Sequence, residues 1–156
     1  MSDSLDSSFP HPLIPAETIA NFPEEVFIHP LNANAIRHTK SLAAATGCIH
    51  LGIHLVRVAP GHDSTEYHRH RGEEEFIYIL SGRGIAAIGD KTFEVKPGDF
   101  MGFPPDSLAH SMHNPFDTDL VYLMGGTNLD YDVCDYPRQG KQLYRVGDRR
   151  NYVDLE

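Results

Sequence analysis

His68 and His70 stand one residue apart in the stretch 61–82, GHDSTEYHRHRGEEEFIYILSG. A strand repeats every two residues, so both imidazoles leave the same face of one strand. Two nitrogen ligands side by side make half of a transition-metal site. Five residues after His70 comes Glu75, which opens the apolar run FIYIL. A hard oxygen donor there suits the same ion. An offset of five puts Glu75 on the wrong face of an unbroken strand. Arg71-Gly72 lies between, and glycine permits the turn or bulge that resets the parity. Glu73 and Glu74 are rivals: Glu74 has the opposite strand parity, and Glu73 lies near the turn.

Glu66 precedes His68 by two residues and so shares its face, which makes it a candidate general base beside a metal. The same parity argument takes Ile77 and Ile79 inward after Glu75. His54 and Arg57 lie on one strand with opposite parities, so only one of them faces inward. An inward Arg57 is a candidate anion clamp. His50, His62 and Tyr78 carry no spacing signal. Cys48 and Cys134 have no activating partner in sequence, and no GxGxxG, P-loop or GxSxG signature is present.

The elements that must position these residues are short strands. CIHLGIHLVRVA (48–59) is the first long one, followed by the YHRH ligand strand and EFIYIL. GIAAIG and KTFEVK flank Gly89-Asp90, a hairpin turn, and Pro97-Gly98-Asp99 is another turn. AHSMHN and DLVYLMGG complete the series. Strands at this spacing, separated by Gly, Pro and Asp, predict a sandwich or barrel. Helical character is confined to PAETIANF, with Pro15 near its start, and to SLAAAT, stopped by Gly47. Residues 1–15 are polar and proline-rich, with disorder expected at the start. The tail 127–156 has no long periodic element and is expected to wrap the barrel.

At 156 residues the chain suits one domain with a sizeable core. A formal net charge of −9 disfavours nucleic acid and anionic membrane surfaces. Two cysteines make no disulfide framework, so both are expected as free thiols. The first residues lack the basic and apolar regions of a signal peptide, and no apolar stretch reaches membrane length. The expected location is cytoplasmic.

HxHxxxxE, followed by six residues and Gly82, resembles the first motif of the cupin family. A second motif resembles that family's in Gly98, Pro104, His110 and Asn114, within PGDFMGFPPDSLAHSMHN. Two spacings depart from the family. Six residues separate Gly61 from His68 where five are usual, and Asp106 stands where a glycine is usual, with three residues before His110. Both departures fall in turns.

The resemblance implies an all-β fold: an antiparallel double-stranded β-helix, or jelly-roll barrel, with an N-terminal arm and a C-terminal extension. The division expected is arm 1–47, packing on the barrel or on a partner subunit, barrel 48–126 and extension 127–156. It also implies one divalent transition metal held by His68, His70, Glu75 and His110, with family spacing selecting Glu75 over its rivals. Such a ligand set leaves positions open in an octahedral ion, which is a catalytic type of site. Zn, Mn, Fe, Ni, Co and Cu all suit it. Three functions follow from the resemblance. The favoured one is a metal-dependent isomerase, epimerase or lyase on a small oxygenated or sugar-like molecule, with Glu66 moving a proton. The second is a non-haem iron dioxygenase with a more apolar pocket. The third is a small-molecule binding module. A homodimer is expected, because barrel edge strands need cover.

Overall fold

The computed structural model describes residues 10–156. The first nine residues of the expected N-terminal arm lie outside that range. A single short helix, α1 (Ala16–Ala20), begins after Pro15, which sits at its N-cap in extended conformation. The strands follow as β1 (Glu25–His29), β2 (Asn32–Ser41), β3 (Leu51–Val58), β4 (Arg69–His70) and β5 (Glu75–Ser81). After them come β6 (Gly84–Ile88), β7 (Lys91–Val95), β8 (Phe100–Phe103), β9 (His110–His113) and β10 (Leu120–Thr127). The chain ends in β11 (Tyr131–Tyr136), β12 (Lys141–Val146) and β13 (Arg149–Asp154). SLAAAT supplies a 3-10 turn, Ala44–Thr46, closed by Gly47 in the left-handed region.

Three antiparallel sheets result. One has the order β1-β2-β3-β10-β5-β8, one is β7-β6-β9, and one is β13-β12-β11-β4. The core lies between the first two. Val56, Ile77, Ile79, Leu120 and Tyr122 come from the six-stranded sheet and pack with Ala86, Val95 and Met112 of the three-stranded one. Register explains the set, since Tyr122 lies opposite both Val56 and Ile79, so one face of three strands converges. Each valine, leucine, isoleucine or methionine of this set stabilises the fold by roughly 1.5–3 kcal/mol on full burial. This is the jelly-roll arrangement that the motifs imply.

The tail, in which the sequence shows no long periodic element, is built of strands. Its residues form the β11–β13 meander, tied to the ligand segment through Cys134 opposite His70. The alternation is hard to see in sequence because polar residues occupy both faces of these strands. Its small core is Cys134, Tyr136 and Leu143, with Leu31 and Tyr152 packed against them. Both cysteines are free thiols, Cys48 exposed and Cys134 buried.

Candidate metal centre

The ligand segment is not one strand. His68 makes an isolated antiparallel bridge with His110 of β9, exchanging both backbone hydrogen bonds at 2.8 and 3.1 Å. Two residues on, His70 pairs with β11 in a different sheet. The chain therefore crosses from one sheet to another between two histidines, and the rings stay together with centroids 5.0 Å apart.

Between His70 and Glu75 the chain turns around Asp132. Its Oδ1 accepts the amides of Gly72 at 2.9 Å and Glu73 at 3.2 Å. A Cβ on Gly72 would lie 3.0 Å from that same oxygen. Glycine is used here for close approach of a carboxylate rather than for an unusual backbone angle. β5 then starts at Glu75, with its parity reset.

The result gathers three imidazoles around one carboxylate oxygen. Glu75 Oε2 lies 3.6 Å from His68 Nε2, 3.4 Å from His70 Nε2 and 3.5 Å from His110 Nε2. The other ring nitrogen of each histidine faces an acceptor. His68 Nδ1 is 2.9 Å from the Glu66 carbonyl, His70 Nδ1 is 2.6 Å from Asp132 Oδ2, and His110 Nδ1 is 3.4 Å from the Leu108 carbonyl. Acceptors at all three Nδ1 atoms favour hydrogen there and leave each Nε2 lone pair for a cation. The His110 ring is held flat against Phe103, with centroids 3.5 Å apart and planes at 6°.

The residues fit a divalent metal. His110 Nε2 is buried and makes no hydrogen bond to any described residue, which is costly for a polar atom unless another partner takes it. Three neutral nitrogens and one carboxylate are the donor set that first-row transition ions accept. His68, Glu75 and His110 form one group close enough to share an ion. His70 groups with Glu73 and Asp132, and with His68 and Cys134.

The charges follow from burial and contact. Burial tends to raise the Glu75 carboxyl, but the three imidazoles outweigh it and hold the group well below its ordinary value. Burial pushes His68 down, towards the neutral ring. Burial opposes charge on His70 also, yet Asp132 and Glu75 outweigh it and the ring is pushed up to about 10. Asp132 is lowered, because its contacts with His70, Gly72 and Glu73 exceed the burial cost.

His68, His70 and Glu75 line a cavity of about 600 Å³. Its lining also includes Phe27, His29 and Arg37 from the β1–β2 hairpin, and Tyr136, Leu143 and Arg150 from the tail meander. His54 also faces it. Arg57, the candidate anion clamp, points the other way, with its guanidinium on Glu24 at 2.6 Å and Asp119 at 3.4 Å. Arg37 of β2 lines the cavity instead, and NANAIRHTKS shows no clear apolar alternation that would reveal it in the sequence. Glu66 is buried, but Thr65 rather than Glu66 lines the cavity. Residues 64–67 bend instead of continuing the strand, so the two-residue parity that links Glu66 to His68 does not apply. Of the rivals to Glu75, Glu73 is held by Arg145 and the Leu129 amide; His113, three residues after His110, is paired with Asp63 at 2.6 Å. Asn114 is fully buried and ties a turn together through the Val58 and Thr118 carbonyls.

A jelly roll that gathers three histidines and a glutamate closely enough to hold a metal ion is the class these observations define. A family profile described as "Cupin domain" matches residues 54–126. A candidate sugar phosphate isomerase from Acidithiobacillus ferrooxidans is 46% identical, over 91% of each chain, with a TM-score of 0.89. The chain belongs to the cupin family. A sugar phosphate isomerase of the cupin superfamily from Silicibacter pomeroyi superposes with a TM-score of 0.81 over 92% of each chain, at 24% identity. That likeness concerns the fold alone. An oxalate-binding protein from Thermotoga maritima is 37% identical over 68 residues, which is 44% of this chain and 54% of that protein. The chain spans about half the length of the curated relatives it matches.

Proposed function

We propose that the protein is a metal-dependent isomerase, epimerase or lyase acting on a small, oxygenated, sugar-like molecule. The observation that carries this reading is the convergence of three Nε2 atoms on Glu75 Oε2 at the wall of a cavity rich in polar side chains. An oxygenase for apolar substrates suits a more apolar wall than one with His29, Arg37, His54, Glu73 and Arg150. The name of the 46%-identical neighbour from Acidithiobacillus ferrooxidans points the same way.

His68, His70, Glu75 and His110 would hold the metal, which would supply a Lewis acid for a substrate carbonyl or enediolate. The chain's own residues supply the rest. Tyr136 lines the cavity, with its oxygen 3.3 Å from His29 Nε2. The Leu31 amide donates to His29 Nδ1 at 3.1 Å, and burial lowers this imidazole to about 4. His29 is therefore neutral at pH 7, with its hydrogen on Nε2 directed at the Tyr136 oxygen. Burial pushes the Tyr136 phenol up, so it keeps its own hydrogen and can give it to a substrate oxygen. Glu66 acts here through its carbonyl, which orients His68. A second copy of the chain, paired along the β1 edge where Val26 and Ile28 are exposed, belongs to the same proposal.

The test is elemental analysis of untagged protein purified without chelator and without oxygen. It is followed by proton–deuterium exchange on a panel of aldose and ketose phosphates under anaerobic conditions. Close to one equivalent of metal with oxygen-independent exchange is expected. Iron with oxygen consumption would replace this reading by a dioxygenase, and no metal after reconstitution would remove it.

A further inference from the structure

Among the described residues, the buried side-chain nitrogen and oxygen atoms that lack a hydrogen bond are two: His110 Nε2 and Arg37 Nε. The first belongs to the metal-ligand cluster. The second lies in the wall of the same cavity, on the β1–β2 hairpin.

Arg37 is held by neutral groups. Its guanidinium carbon sits 4.9 Å over the Phe27 ring, and Nη1 is 3.7 Å from Met124 Sδ. A ring face and a thioether orient a guanidinium without neutralising it. No carboxylate among the described residues pairs with it. That is unlike Arg57, Arg69, Arg71, Arg83 and Arg145, each of which meets an aspartate or glutamate. Arg138, Arg149 and Arg150 also form no ion pair among the described residues, so what sets Arg37 apart is an unneutralised guanidinium whose buried Nε makes no hydrogen bond at the cavity wall. Its charge is felt locally, since Arg37 and Arg150 both help to depress His29. Arg150 lines the same cavity. The cavity wall carries both signs of charge, with carboxylates that include Glu25, Glu75 and Asp148; of its three arginines, Arg145 is neutralised by Glu73, whereas Arg37 and Arg150 form no ion pair among the described residues.

We infer that Arg37 is an oxyanion subsite, holding the phosphate or carboxylate end of a small ligand whose oxygenated carbons reach the His68–His70–Glu75 wall. A planar guanidinium offers parallel N–H donors to two oxygens of such a group. The inference rests on the cavity being the substrate site proposed above, and it narrows that substrate to an anion.

Inorganic phosphate and, separately, acetate are titrated into the protein as purified and into metal-stripped protein. Thermal midpoint is followed for both anions, and phosphorus NMR line width for phosphate. Arg37→Gln is compared with wild type and with Arg83→Gln, which breaks an exposed pair with Glu94 and a stacking contact with Phe116, none of them in the cavity lining. At least one anion is expected to saturate with and without metal, with affinity falling about tenfold or more in R37Q and unchanged in R83Q. The tighter of the two anions identifies the group recognised. Equal binding by R37Q and wild type, loss of binding only on metal removal, or no saturable binding to wild type would each overturn the subsite. If R37Q fails to fold, phenylglyoxal labelling of wild type decides. Slower modification at Arg37 in the presence of anion supports the subsite, and an unchanged rate rejects it. Turnover is measured apart from this. Anion binding through Arg37 without any turnover would reject the isomerase and leave the subsite standing.

Discussion

His70 Nδ1 lies 2.6 Å from Asp132 Oδ2, and this contact joins the tail meander to the candidate metal-ligand cluster. Asp132 does two things at once. One oxygen orients the His70 ring, and the other accepts the Gly72 and Glu73 amides that carry the chain round to Glu75. Asp132→Asn keeps the shape and removes the charge. Partners of this kind typically change metal affinity by about 10- to 100-fold when lost. A competition titration with a chromophoric chelator should show a loss in that range, with circular dichroism unchanged. His110→Ala, which removes a candidate ligand itself, should cost more. Metal affinity unchanged in both variants would mean that the cluster is not the metal site.

Metal affinity should rise with pH. His70 is raised from its ordinary 6.5 to about 10, so in the metal-free protein the ring is protonated at neutral pH. A metal must displace the Nε2 proton, and affinity should gain roughly tenfold per pH unit between about 7 and 10. The sign for folding is the opposite. A raised imidazole stabilises the metal-free fold below about 6.5, and that contribution is lost as pH rises through about 10. Calorimetric titration in buffers of different ionisation enthalpy should count close to one proton released. A flat pH profile would mean that His70 is not displaced.

The cluster was legible in sequence where a short local period sufficed. The spacing of His68 and His70 predicts neighbouring rings, and their centroids lie 5.0 Å apart. The parity reset before Glu75 was legible too, although its cause is the Asp132 oxygen packed against Gly72, which lies 60 residues away in the chain. Groups brought in by long-range pairing were not legible. Asp132, Tyr136 and Arg150 come from strands whose polar residues mask the alternation. Arg37 and Arg57 could not be sorted by charge alone, and only the register of His38 opposite Arg57 assigns them to opposite faces. Strand parity does not carry through the bend at residues 64–67, so it gives no guide to where Glu66 lies relative to the cavity.

Tyr136→Phe and Glu66→Gln separate two candidates for the proton. Tyr136 lines the cavity and Glu66 does not. With substrate in hand, Y136F should keep its metal and lose roughly 100-fold in kcat, a usual scale for a positioned acid or base. E66Q should keep both metal and most of its rate, because the Glu66 group that orients His68 is the backbone carbonyl. The reverse pattern would return the role to the Glu66 carboxylate.

Asp106 stands where the family usually has glycine, and it is the only non-glycine among the described residues with positive φ, at 58°. The turn shape that a glycine serves is therefore kept by an aspartate, a residue that tolerates the left-handed region better than most. The turn matters to the cluster because the Asp106 amide donates to the His70 carbonyl at 2.8 Å. Asp106→Gly should leave stability within about 1 kcal/mol, since relief of backbone strain and added freedom of the unfolded chain oppose each other. Asp106→Val cannot adopt this angle without strain and should lose about 1–3 kcal/mol, measured by urea denaturation. Metal affinity should fall in D106V and hold in D106G, because only the valine pulls the turn away from His70. Equal stability of the two variants would show that the loop relaxes freely and does not brace the ligand segment.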